Sequence, residues 1–300
     1  MQKILVTGGT VFVSQYVASY FAAKGDEVYV LNRNRRAQPS NTILIEADRH
    51  HLGNKLKTYR FDAVLDITAY TGEDVVSLLS GLGGFSEYLL ISSSAVYPPG
   101  LTQPFHEDQP VGPNPYWGAY GLQKIAAEQA LLTSVPTAYI LRPPYLYGPM
   151  NNLYREAFAF ECADLGRKFY LPGQGDMKLQ FFYIGDLCRL IDAVLTKKPA
   201  AHILNAGNSQ PISVRQWVEL CYQAAGKRAE FVETAYPVNQ RDFFSFYDYE
   251  YQLDVSRQAA LLDKVTPMEA GLAESYRWYR GHKDEVNRKG YIEYIDQHFT

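Results

Sequence analysis

KILVTGGTVFVSQYVASYFAAKGDEVYVLNR, residues 3–33, decides the fold of this 300-residue chain. Residues 3–7 form a short apolar run without alternation. A strand buried on both faces reads this way, and parallel sheets bury both faces. Residues 10–24 carry apolar side chains at helical spacing, and Gly25 follows as a C-cap. EVYVLNR (27–33) is a second strand. Further strands are expected at TILIEAD (42–48), DAVLDIT (62–68), EYLLISSS (87–94) and TAYILRPP (137–144). Helices are expected at EDVVSLLSGL (73–82) and YWGAYGLQKIAAEQALL (116–132). This alternation predicts an α/β fold, a Rossmann-like doubly wound parallel sheet over residues 1–150. After Tyr147-Gly148-Pro149 the pattern loosens, so residues 151–300 are expected to form a smaller, mixed α/β substrate-binding domain. AHILNAG (201–207) is apolar enough to rejoin the first sheet, and about 181–225 are assigned partly to it. DFFSFYDYEYQLD (242–254) reads as a strand or cleft wall.

Composition narrows the function. Lys plus Arg is 29 and Asp plus Glu is 32, a formal charge of −3, which argues against a general nucleic-acid or anionic-membrane binder. The hydrophobic share of 47% supports a core and excludes wholesale disorder. No apolar run reaches the roughly 20 residues of a membrane span. MQKILVTGG reads as a strand and turn, not a signal peptide. Cys162, Cys188 and Cys221 are scattered, with neither zinc nor disulfide spacing. A cytoplasmic protein is expected. His50, His51 and His106 read as isolated loop residues, so no metal site is expected.

The turn TGGT (7–10) joins a strand to a helix, where backbone N–H groups and the helix dipole can hold a pyrophosphate. The dinucleotide fingerprint places small residues at three points of such a turn. Here they are Gly8, Val11 and Ser14. Valine stands where glycine normally lets the backbone approach the phosphates. Thr10, Val11 and Phe12 are candidate cofactor contacts, with Thr68 after the fourth strand and Pro143 after the sixth. The end of the second strand separates NAD from NADP. An acid there would bond the ribose hydroxyls, whereas a base would meet a 2′-phosphate. Asn32, Arg33, Asn34, Arg35 and Arg36 contain no acid, which favours NADP and leaves NAD open. Asp48 is placed to accept from the adenine amino group, with Arg49 beside it.

Tyr120 and Lys124 lie four apart on a predicted helix and share one face. A neighbouring ammonium stabilises a phenolate and makes tyrosine a usable acid/base near neutrality. Ser92-Ser93-Ser94 offers a hydroxyl to position a substrate alcohol or carbonyl. Glu128 is expected to face solvent or pair with Lys124. The terminal stretch 283–300 is expected to be a helix used for packing.

These motifs resemble the extended short-chain dehydrogenase/reductase family, which includes nucleotide-sugar epimerases and dehydratases. TGGT (7–10), ISSSAVYP (91–98), YGLQK (120–124), LRPPYLYGP (141–149), FFYIGDL (181–187) and NAGNSQPISV (205–214) are similar to its landmarks. So is the ending LDVSRQAALL (253–262) with PMEAGLAESYRWY (267–279). The resemblance implies that Tyr120 takes a proton from a sugar hydroxyl while hydride passes to nicotinamide. Lys124 would also hold the nicotinamide ribose, and Ser93 would steady the reacting oxygen. Dehydratases of the family usually place Asp and Glu after the catalytic Ser/Thr. Ser94 and Ala95 stand there, so an epimerase or reductase ranks above a dehydratase.

The resemblance further implies a small-molecule substrate, a nucleotide sugar or related sugar, with Ser94, Tyr145 and Arg241 as contacts, and a homodimer. Tyr145 replaces the family's usual Asn, and Leu179 its usual Arg. Phe243, Phe244, Phe246 and Tyr247 could line a pocket for a stacking ligand. An alternative comes from the chloroplast stem-loop-binding branch, whose glycine turn is also substituted: an RNA-binding or regulatory protein with a degenerate cofactor site.

Overall fold

The computed structural model describes residues 1–234 and 238–299. Its main sheet has seven parallel strands: β1 (Lys3–Thr7), β2 (Glu27–Asn32), β3 (Thr42–Glu46), β4 (Phe61–Asp66), β5 (Phe85–Ile91), β6 (Tyr139–Arg142) and β11 (Ile203–Asn205). Their spatial order is β11-β6-β5-β4-β1-β2-β3. Chain direction across the sheet therefore reverses between β1 and β4, the switch point where doubly wound sheets open a crevice.

The strands carry no alternation because both faces are covered. Ile4 and Val6 enter one apolar core and Leu5 the other. Val28 and Val30 likewise separate from Tyr29 and Leu31. One face is covered by α1 (Phe12–Ala23) and α5 (Ile184–Lys197), the other by α2 (Gly72–Gly81) and α3 (Ala119–Ser134). The start of α2 is fixed by a capping box, in which Thr71 Oγ1 accepts from Asp74 N (3.1 Å) and Asp74 Oδ2 from Thr71 N (2.8 Å).

The remaining strands pair in three small sheets. β7 (Tyr145–Tyr147) pairs with β10 (Phe181–Tyr183), β8 (Phe169–Pro172) with β13 (Phe231–Thr234), and β9 (Lys178–Leu179) with β12 (Ile212–Ser213). Around them lie α4 (Glu156–Asp164), α6 (Val214–Ala224), α7 (Gln240–Phe243), α8 (Ser256–Ala259), α9 (Met268–Gly281) and α10 (Tyr291–His298). The AHILNAG stretch supplies β11, which pairs with β6 from Ile203–Ile140 to Asn205–Arg142. The 242–254 stretch is not a strand. It leaves α7 as irregular chain, and Phe243, Phe244 and Phe246 are buried in the core, so aromatic packing wins there over period-two pairing.

Candidate active site

Two adjoining hollows lie at the carboxyl ends of the central strands. The larger, a cleft of about 610 Å³, is lined by Val11, Phe12, Ser93, Ser94, Tyr120, Lys124, Pro143, Tyr145 and Arg241 among others. The smaller, about 400 Å³, is lined by Gly8, Asn32, Arg33, Asp48 and Arg49 among others. Thr68 and Tyr70 line both. Thr10 and Arg36 line neither, and Arg36 is exposed.

In the glycine turn Gly8 has φ +88°, and a Cβ there would lie 2.8 Å from Thr68 Cγ2 and 2.9 Å from Ser14 Oγ. Only glycine serves at that point. Val11 is different. Its backbone is extended (φ −142°, ψ 131°), so its conformation does not require glycine and only its side-chain volume bears on a phosphate. Ser14 is buried and donates its hydroxyl to Val11 O (2.9 Å). No side chain caps α1, which leaves its first-turn N–H groups available to an anion.

At the smaller hollow, several expected ligand contacts have structural duties instead. The Asn32 amide donates to Gly8 O (2.7 Å) and Gln38 Oε1 (2.9 Å), tying β2 to the turn. Arg49 points inward. It pairs with the fully buried Asp66 (2.9 Å) and donates to Asp74 O (2.8 Å), because a carboxylate in the sheet cannot be left unpaired. Asp66 also accepts from Thr7 Oγ1 (2.7 Å) and Tyr88 OH (2.6 Å). Asp48 remains at the rim, its carboxyl held below the usual range by the His50 N–H. His50 is not isolated, since its Nε2 lies 3.0 Å from Asp74 Oδ1.

The three serines after β5 diverge. Ser92 donates to the buried Glu128, Ser94 shares a hydrogen bond with Tyr251 (2.9 Å), and Ser93 faces Tyr120. Lys124 is buried, and its ammonium donates to Ala69 O (2.7 Å) and Ile91 O (2.8 Å) under the Tyr70 ring. Burial pushes its pKa down to about 8, against the pull of Asp66 and Glu128. Tyr120 departs from the expectation of an acidified phenol. Burial raises its pKa, while the Ser93 hydrogen bond and the Arg155 charge oppose that rise. The lysine is turned toward the two carbonyls. Glu128 neither faces solvent nor bonds Lys124. It grips Arg142 beneath the cleft, because both charges are buried there and need each other.

At the far end of the cleft Tyr145 is buried, and burial pushes its phenol up to about 12. Arg155 stacks over its ring at 4.8 Å, and Arg241 stacks over Tyr247 at 4.6 Å. Arg241 also donates to the carbonyls of Phe244 and Ser245. Leu179 is a core residue. Arg155, Asn152, Lys289 and Tyr291 line the cleft, and sequence reasoning passed over them. The terminal stretch is therefore part of the cleft as well as packing. His106, Glu107 and Asp254 bring one ligand atom each within 4.8 Å of one another, but Arg257 Nε stands 3.6 Å from Glu107 and competes for its charge.

The sequence model described as NAD dependent epimerase/dehydratase family matches residues 73–207. The chain is 24% identical to the chloroplast stem-loop binding protein of 41 kDa b of Arabidopsis thaliana, over 92% of this chain and 78% of that protein. It is 23% identical to mouse dTDP-D-glucose 4,6-dehydratase, over 93% and 89%. The fold matches Bacillus anthracis dTDP-glucose 4,6-dehydratase, solved in complex with NAD, with TM-score 0.75 and 20% identity over 95% and 99% of the two chains. Residues 73–207 thus resemble the NAD dependent epimerase/dehydratase family over a little under half of the chain, and the likeness to the Bacillus anthracis dehydratase establishes the fold as a doubly wound parallel sheet of that kind.

Proposed function

We propose that the protein is an NAD(P)-dependent epimerase or oxidoreductase acting on a nucleotide-sugar hydroxyl through Ser93, Tyr120 and Lys124. One observation carries this reading: all three side chains line one cleft, and that cleft shares Thr68 and Tyr70 with the hollow at the glycine turn. Relatives named as a dTDP-D-glucose 4,6-dehydratase and a UDP-glucose 4-epimerase point the same way, whereas the stem-loop binding protein carries the name of the RNA-binding alternative; the site residues lining the cleft favour the enzyme reading.

The residues present fit a dinucleotide. Gly8 leaves a cradle that a Cβ would fill, and α1 starts without a cap. The α1 N–H groups would hold the pyrophosphate, Asp48 the adenine amino group and Lys124 the nicotinamide ribose. Arg33, at the rim of the smaller hollow, is the residue through which NADP would be preferred. The nicotinamide, when bound, takes up or returns a hydride.

The chain's own residues supply proton transfer and positioning. Tyr120 OH would exchange a proton with the substrate oxygen, and Ser93 Oγ would hold that oxygen in place. With a raised pKa the phenol is neutral at pH 7, the form that donates. Removing a substrate proton requires the phenolate, which Ser93 and Arg155 help to stabilise. Ser94 and Ala95 carry no acid or base for dehydration, so epimerisation or reduction is the reaction proposed. Action in the cytoplasm and a homodimeric state belong to the same proposal.

The test is Tyr120→Phe, assayed on a panel of UDP- and dTDP-sugars with NAD and NADP. Turnover should fall by roughly 10²–10⁴-fold, with cofactor binding retained by calorimetry. Unchanged turnover in the variant would overturn the reading.

A further inference from the structure

The large cleft is lined by four cations, Lys124, Arg155, Arg241 and Lys289, and by no aspartate or glutamate among the described residues. The whole chain is net negative, so this concentration is local. Lys124 is bonded to two backbone carbonyls. Arg241 also donates to the carbonyls of Phe244 and Ser245; with Lys289 it would face a diphosphate, and Arg155 is a further cation in the same cleft.

No carboxylate among the described residues lies within ion-pair distance of Arg155. Its neighbour Glu156 turns away, accepting from Gly148 N (3.2 Å) and the Asn151 amide (2.9 Å), and burial shifts that carboxyl toward its neutral form. Arg155 stacks over Tyr145 and lines the same cleft as Tyr120 and Tyr251, and its charge lowers all three phenols against the rise from burial. Two buried donors there have no partner: Tyr145 OH, on a side chain only 4% exposed, and Trp117 Nε1. Both residues line the cleft. A neutral sugar would leave the guanidinium, which stacks on Tyr145, without an anionic partner. A carboxylate accepts from a guanidinium in bidentate fashion and only accepts when ionised, which suits a set of unused donors.

We propose that the sugar of the substrate carries a carboxylate beside the reacting carbon and that Arg155 binds it, so that the substrate class is a nucleoside diphosphate sugar acid. This rests on the nucleotide-sugar reading above and deepens it.

The experiment is calorimetry on the full chain loaded with NAD, titrated with UDP-glucuronate, UDP-glucose and UDP, and with the three dTDP counterparts. The acid should bind about tenfold or more tightly than the neutral sugar on the same nucleotide. Arg155→Met should erase that preference and leave UDP or dTDP affinity unchanged, and Arg155→Lys should recover part of it. Equal binding of acid and neutral sugar would overturn the carboxylate site and leave the nucleotide-sugar reading standing. If none of the six binds to the NAD-loaded protein, both fall together. A preference for the acid that survives Arg155→Met would also overturn the assignment.

Discussion

Glu128 of α3 holds Arg142 of β6 by two parallel contacts, Oε1 to Nε at 3.0 Å and Oε2 to the terminal nitrogen at 2.6 Å. The pair is sealed under the cleft floor. Arg142 reaches on to Tyr97 OH (2.9 Å), which donates to Asn205 Oδ1 (2.8 Å), so one network ties α3, β6 and β11 together.

Removing one member of this pair strands a buried charge. Glu128→Ala should therefore destabilise the protein by about 3–5 kcal/mol. Replacing both residues by apolar side chains should recover much of that loss. Urea unfolding of the two variants measures the difference, and a Glu128→Ala protein as stable as the parent would refute the buried pair.

Lys124 gives a pH signature with a definite sign. Its pKa is depressed to about 8 in the folded protein, whereas an exposed lysine titrates near 10.5. Between those values the unfolded chain binds more protons, so stability should rise with pH over that window and carry the full penalty below it. The span corresponds to about 3 kcal/mol. Lys124→Met should remove this rise, seen as the difference between parent and variant unfolding curves from pH 7 to 10.5. Superimposable pH profiles for the two proteins would contradict it.

Val11 can bear on a ligand at the glycine turn only through its side chain, since its backbone is extended. Val11→Gly should tighten NAD binding several-fold by isothermal calorimetry while costing up to about 1 kcal/mol of stability through backbone entropy. Weaker cofactor binding in the variant would show that the valine is a contact and not an obstruction.

Arg33 lines the smaller hollow, whereas Arg36 does not. Arg33→Ser should weaken NADP binding by about tenfold, the scale of one charge-assisted phosphate contact, and leave NAD within a factor of two. The same change at Arg36 should leave both affinities unaltered. Parallel titrations of the two cofactors decide the matter.

The sheet was legible because its strands are buried on both faces and its turn requires a residue at φ +88° that only glycine adopts easily. Tyr120 and Lys124 were legible because helix geometry alone puts them on one face. The rest of the cleft was not. Lys289 reaches it through a bridge between Leu153 and Asn287, segments far apart in the chain, and no local pattern announces such a meeting. Glu128 looked like a surface residue because its partner Arg142 belongs to a different element. Of Phe243, Phe244, Phe246 and Tyr247, which suggested a ligand wall, Tyr247 lines the cleft and the three phenylalanines pack in the core, because aromatic residues look alike in sequence whether they face a cavity or a core.

The pairing of β11 with β6 also governs how this protein can be cut or recombined. A fragment ending near residue 150 would leave β6 with an open row of backbone donors and acceptors, and an unprotected strand of that kind recruits other chains. It would also take Asn205 away from Tyr97 and Phe105. The N-terminal half should therefore aggregate when expressed by itself, and exchanges between relatives should succeed only when the late strand travels with the early ones.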